Sequence, residues 1–222
     1  MGELFLSGGG NAKQTYVIDT HFVRNIRKDK PLLYIPIAMD ASRFDDCLTW
    51  IQNVFNPLGI QEIVMWKDVK NKNIKDLQQF SAIYIGGGNT FRLLKEFMDT
   101  KFTEVIKEYV AAGGIVYGGS AGAIILGEHI MTCGHMDEND VNLHTYTGLQ
   151  LVNGYAIWCH YNEGNDLLIQ NYMKKYETPV ICLPEETAVI VNDSVIKVIG
   201  DKYAYTFRDG GKTIFHPGNV IT

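Results

Sequence analysis

The stretch "GGIVYGGSAGAIILG", Gly113 to Gly127, carries an apolar, β-branched run into a Gly-Gly-Ser-Ala-Gly corner and straight on into helix-forming sequence. A short apolar run without polar alternation reads as a strand covered on both faces, and a glycine corner passes such a strand directly to a helix. The same pattern extends outward along the chain. "ELFLS" at 3 to 7, "PLLYIPIAM" at 31 to 39, "IQEIVMW" at 60 to 66 and "SAIYIGGG" at 81 to 88 are further apolar runs. Residues 11 to 28, 42 to 55 and 90 to 112, which separate them, carry helical period. Strand alternating with helix predicts an α/β fold, a mostly parallel sheet with helices on both faces.

After Ser120 the pattern loosens. Residues 128 to 153 are polar with no sustained period, and a loop of that length in a compact domain is a candidate flap. "GYAIWCH" (154 to 160) then reads as a strand, "NEGNDLLIQNYMKKY" (162 to 176) as a helix and "TPVICLPE" (178 to 185) as a strand. "TAVIV", "SVIKVIG", "YAYTF" and "KTIFH", separated by Asn-Asp, Gly-Asp and Asp-Gly-Gly turns, predict a short antiparallel C-terminal meander closing one edge.

At 222 residues and 46% hydrophobic, the chain can bury a sizeable core, and one domain spanning 1–222 is expected. The net charge of -5 supplies no broad basic field, which argues against nucleic acid or a membrane surface as partner. A partner that is small or uncharged overall fits better. The opening "MGELFLSGGGNAKQ" has no charged n-region, and no run approaches the roughly 20 apolar residues of a membrane span, so a cytoplasmic monomer or homodimer is expected. Cys47, Cys133, Cys159 and Cys182 form no CxxC pair and no ligand cluster, so neither zinc nor a disulfide framework is signalled. No metal or organic cofactor is expected.

Gly118, Ser120 and Gly122 spell GxSxG between a predicted strand and a predicted helix, the context of a nucleophile elbow. The Ser120 hydroxyl would project from the strand end, and the amide of Ala121, opening the helix, could donate to an oxyanion. A serine needs a base, and six histidines compete. His160 ends a predicted strand, where an open parallel sheet gathers its functional side chains, whereas His129, His135 and His144 fall in the irregular segment, His21 in a helix and His216 near the end. Glu185 stands just beyond another predicted strand end and is the candidate to orient the histidine; Glu186, Asp137 and Asp140 are its rivals. On this reading three strand ends share one rim. "YIGGGNTFRLL" (84 to 94) is a second strand, glycine turn and helix start that lacks the spacing of a nucleotide loop; its Gly87 or Gly88 amide could supply a second oxyanion donor. Gly87 and Asn89 are the candidate substrate-binding positions at this turn.

Together "IGGGNTFRLLKE", "GGSAGA", "CHYN" and "LPEETA" resemble the peptidase E family, serine peptidases that include aspartyl dipeptidases and, more distantly, cyanophycinases. The similarity spans most of the chain. It implies a fold like the class I glutamine amidotransferase domain and hydrolysis of small peptides through an acyl-enzyme, dipeptides with N-terminal Asp among them. It further implies Ser120 as nucleophile, His160 as base, Glu185 as its partner, and the backbone amides of Gly88 and Ala121 as oxyanion hole. The amidotransferases carry cysteine in the elbow where this chain has serine, and α/β-hydrolases run Ser, acid, His where this order is Ser120, His160, Glu185. The other readings are a non-catalytic small-molecule-binding protein of the same fold and a cyanophycinase-like β-aspartyl peptidase. Aspartyl dipeptidases of the family resemble one another in basic residues between histidine and glutamate. That interval here holds no arginine, and its cations, Lys174 and Lys175, come late in a helix; Arg92, Arg43 and Lys13 are the remaining candidates to meet a substrate carboxylate.

Overall fold

Five of the apolar runs become the parallel strands β1 (Glu3–Ser7), β2 (Leu32–Ile35), β3 (Ile63–Met65), β4 (Ala82–Ile85) and β5 (Ile115–Gly119), in a computed structural model that describes residues 2–222. Three more strands, β8 (Thr187–Asn192), β9 (Val195–Gly200) and β12 (Val220–Ile221), add antiparallel, giving eight strands in the order β12-β9-β8-β1-β5-β4-β2-β3. The large sheet is therefore mostly parallel, as expected. Helices α1 (Ala12–Asn25) and α2 (Phe44–Phe55) cover one face, while α4 (Thr90–Asp99), α5 (Phe102–Ala111) and α6 (Ala121–Leu126) cover the other; a single turn, α3 (Ile74–Leu77), lies between β3 and β4.

Side chains alternate along each strand, so each face has its own core. Toward α1 and α2, register brings Phe5, Tyr117, Tyr84 and Tyr34 into one row across β1, β5, β4 and β2. Tyr84 and Tyr117 stack at 4.4 Å, and Phe22 of α1 meets Tyr117 edge-on at 5.1 Å. Leu4, Leu6, Ile83, Ile85 and Val116 point the other way, into α4, α5 and α6.

The predicted C-terminal meander is split between two sheets. Its third and fourth strands, β10 (Ala204–Arg208) and β11 (Gly211–Phe215), form a hairpin that joins through β10 to β7 (Val180–Cys182), itself paired with β6 (Ala156–Trp158), in a second sheet ordered β11-β10-β7-β6, alongside α7 (Asp166–Tyr176). Local turn chemistry fixes each hairpin but says nothing about which sheet receives it. The helical stretch at 90–112 is also two helices rather than one: the Thr100 hydroxyl donates back to Glu96 O at 2.6 Å and Lys101 adopts φ 58°, while Phe97 and Phe102 pack across the break at 5.0 Å. Residues 128–153 are packed rather than loose. They contain a 3-10 turn, Ile130–Cys133, a bridge between His129 and Thr147, and buried Leu143, Leu149 and Val152. No described helix is long and apolar enough to cross a membrane.

Candidate active site

Strand β5 ends at Gly119, and Ser120 follows at φ 50°, ψ -111° before α6 begins. A side-chain-bearing residue held there stores about 1–3 kcal/mol of backbone strain. The surrounding contacts explain why the chain accepts it. A Cβ on Gly122 would stand 2.2 Å from the Ile85 carbonyl oxygen, and one on Gly118 would stand 2.6 Å from that of Gly122. Bare backbone lets α6 turn back this closely over β4 and β5. The Ser120 amide donates to Ser7 O at 3.2 Å, tying the corner to the end of β1.

Ser120 Oγ lies 2.8 Å from His160 Nε2, and His160 Nδ1 lies 3.1 Å from Glu185 Oε1. An ionised carboxylate only accepts, so Nδ1–H donates to Glu185, Nε2 becomes the acceptor, and the Ser120 hydroxyl donates to it. His160 is also in the left-handed region, at φ 52°, and its amide donates to Gly8 O at 3.0 Å. Two consecutive carbonyls at the tip of β1, Ser7 and Gly8, thus hold both strained residues. A Cβ on Gly9 would fall 2.3 Å from His160 Cε1, so the imidazole rests directly against backbone. The His160 hydrogen bond holds the Glu185 carboxyl below its ordinary range, with partial burial opposing and a hydrogen bond from Gln14 Nε2 to Oε2 assisting.

These three residues do not share the rim of one open sheet, as the sequence suggested. His160 follows β6 and Glu185 follows β7, both in the smaller sheet, and Glu185 sits where the chain crosses from β7 into β8 of the larger one. They meet at the seam between the sheets, joined there by β1. The rivals lie elsewhere. Glu186 pairs with Lys202 at 3.1 Å, His129 caps the turn at 130–133, His135 stacks on Trp158 at 4.4 Å, and His216 packs on Tyr203.

The turn after β4 comes alongside the elbow: a Cβ on Gly87 would be 3.3 Å from Ser120 Cβ. Gly86 N donates to Ile35 O at 3.0 Å and Asn89 N to Ala38 O at 2.8 Å, fixing the turn on either side of Gly87 and Gly88. Gly87 and Gly88 line a cavity of about 550 Å³ with Ser120 and His160, whose other walls come from the tips of β1, β2 and β4 and from α2. Asn89 does not line it. Its Oδ1 accepts from Arg92 N as the cap of α4, and its Nδ2 donates to Glu138 O at 2.7 Å, so the side chain is engaged in holding α4. The expected flap is also absent from this cavity: no residue of 128–153 lines it. That segment instead clamps α4, with Asp137 accepting from Thr90 N at 2.8 Å and Asp140 paired with Arg92. A larger cavity of about 720 Å³ lies between α7 and the β10–β11 turn, away from Ser120.

The model for peptidase family S51 matches residues 4–199. The chain belongs to peptidase family S51. It is 27% identical over 223 residues to a peptidase E of Actinobacillus pleuropneumoniae, covering 94% of both chains. An uncharacterized peptidase of Listeria monocytogenes is 31% identical over 166 residues, covering 73% of this chain and 79% of the other. Among solved structures, a Listeria monocytogenes protein assigned to peptidase E superposes with a TM-score of 0.73 at 25% identity, over 91% of this chain and all of that one. A peptidase from an acI-B1 Actinobacterium shares the fold, with a TM-score of 0.76 at 18% identity, over 100% and 97% of the two chains.

Two features of this S51 peptidase escaped the sequence reading. Gln14 was hidden because Asn11-x-x-Gln14 also makes a capping box for α1, in which Gln14 Oε1 accepts from Asn11 N at 3.0 Å. Its amide nitrogen is what reaches Glu185. Beneath the elbow, Asp19 is 2% exposed and accepts from the Thr15 hydroxyl at 2.7 Å and the Tyr117 hydroxyl at 2.9 Å. Burial pushes its carboxyl up to about 6, and the two hydrogen bonds resist that rise. A lone aspartate in a helical run carries no mark of such depth.

Proposed function

We propose that this S51 peptidase is a serine hydrolase of small peptides, working through an acyl-enzyme with Ser120, His160 and Glu185. The observation carrying the reading is the unbroken hydrogen-bonded series of 2.8 and 3.1 Å that starts at a strained serine facing a cavity.

In the first half-reaction Ser120 Oγ attacks the scissile carbonyl while His160 Nε2 takes its proton. The carbonyl oxygen becomes an oxyanion against the amides of Gly88 and Ala121, and their positions in the β4 turn and at the start of α6 support that role. The imidazolium, stabilised by Glu185, gives its proton to the leaving amine. Water then enters, His160 takes a proton from it, hydroxide adds to the acyl carbon, and collapse returns the proton to Ser120 as the acid product leaves. A cavity of about 550 Å³ suits a short peptide rather than a folded chain.

A fluorophosphonate probe tests the reading. Stoichiometric labelling of the wild type and none of Ser120→Ala is expected, with dipeptide hydrolysis lost in the same variant and unaffected by EDTA. A folded wild type whose Ser120 does not react would overturn it in favour of a binding protein of the same fold.

A further inference from the structure

The inner walls of the cavity beside Ser120 are aromatic and apolar. Tyr34 and Tyr84 are 3% and 5% exposed and meet edge to face at 5.6 Å, Trp50 packs on Tyr84 at 6.2 Å, and Met39 and Cys47 complete that side. The Tyr34 hydroxyl lies beside Cys47 and the Tyr84 hydroxyl beside Tyr117, so the polar atoms of this wall neighbour each other rather than a charge.

The charges that line the cavity are Arg43 and Asp46, both at its exposed rim and paired with each other, with Arg43 Nε 3.7 Å from Asp46 Oδ2. Arg92, the other arginine near this end of the sheet, is held by Asp140 and Asp40. A substrate carboxylate entering the cavity would therefore lose its hydration and face electronegative ring surfaces, with Arg43 and Asp46 both at the exposed rim and no buried cation to receive it. An aromatic or branched aliphatic group would lose unfavourable hydration instead and fill the space among the rings.

We infer that this cavity takes the uncharged apolar or aromatic side chain of the residue whose carbonyl Ser120 attacks, an inference that rests on the serine-peptidase reading. Gly87 connects the two: it stands against Ser120 and, with Gly88 after it, lines the cavity, so an acyl group with its oxygen at this turn has Tyr34, Tyr84 and Trp50 within the same cavity to receive its side chain. Trp50 is the residue that would set the preference, being the large ring contributed by α2 at only partial burial.

Binding to the Ser120→Ala variant tests the cavity without requiring turnover. Calorimetric titration with Phe-Ala, Leu-Ala, Ala-Ala and Asp-Ala should give Phe-Ala and Leu-Ala at least about tenfold tighter than Asp-Ala or Ala-Ala. Adding Trp50→Ala should reduce the Phe-Ala advantage about tenfold, with a smaller effect on Ala-Ala. The ranking in the parent variant decides the matter even if the double variant does not fold. Asp-Ala binding as tightly as Phe-Ala, or no peptide binding at all, overturns the inference. Wild-type hydrolysis of the same four peptides separates the two readings: turnover led by Asp-Ala leaves the peptidase standing and removes the apolar pocket. Apolar-selective binding with an unreactive Ser120 does the reverse.

Discussion

Gln14 ties the proposed catalytic series to a helix cap. One end of its amide accepts from Asn11 N and the other donates to Glu185, so a single side chain both starts α1 and aims the carboxylate that holds His160. If it is a positioning residue, Gln14→Ala should lower kcat for a dipeptide about tenfold with little change in KM, and should move the acidic limb of the kcat–pH profile upward, since Glu185 loses a donor that favours its ionised form. Loss of a cap alone, worth about 1 kcal/mol of stability, would leave that profile in place. Gln14→Glu separates the two roles: it keeps the acceptor for Asn11 N but sets a second carboxylate against Glu185. It should be the slower variant at neutral pH although its cap survives, as stopped-time assays from pH 3 to pH 9 would reveal. The pH dependence has a definite sign. Because the Glu185 carboxyl is held below its ordinary range, its support of His160 is in place above the pKa of a free glutamate and disappears only as pH falls through the lowered value.

At the scale of elements, the segment 128–153 works as a brace. Asp137 caps the amide of Thr90, Glu138 accepts from Asn89, and Asp140 holds Arg92, so three residues of one loop secure the first turn of α4 directly after Gly87 and Gly88. Asp137→Ala should cost about 1 kcal/mol in chemical denaturation by removing that cap. It should also lower kcat more than it raises KM, because the turn carrying Gly88, the proposed oxyanion donor, loses a support while the cavity, which this loop does not line, keeps its walls. An equal loss in a variant at an exposed position of the same loop, such as His144→Ala, would refute the bracing role. The polarity and missing period of this segment were legible in the sequence, but its function was not: the same acidic residues serve a mobile flap or a clamp, and only their partners on α4 distinguish the two. The elements around it were easier to read. Apolar runs located the strands because burial on both faces leaves one composition, and the GxSxG spacing located the elbow because close helix-to-strand approach excludes side chains at Gly118 and Gly122.

Across the whole molecule, the site lies where two sheets meet, and no sequence pattern announced the second sheet. Strands β6 and β7 are three residues each, too short for any signal of partner choice, yet they bring His160 and Glu185 to the tip of β1. What anchors that tip from below is the aromatic row across the large sheet, with Asp19 bound to Tyr117 in its interior. This arrangement makes stability depend on pH in a specific direction. The folded state raises the Asp19 carboxyl from an ordinary 3.8 to about 6, so it favours the neutral acid; the resulting stabilisation is complete below 3.8 and is lost as pH climbs through 6. Asp19→Asn cannot titrate. Urea unfolding at pH 4 and pH 7 should therefore show the wild type losing about 2–3 kcal/mol relative to Asp19→Asn between the two conditions, whatever the variant's absolute stability. The comparison cancels every other titrating group to first order, so a pH-independent difference would mean that Asp19 ionises in the folded protein as freely as in the unfolded chain, and that the floor beneath the elbow is wetter than its burial implies.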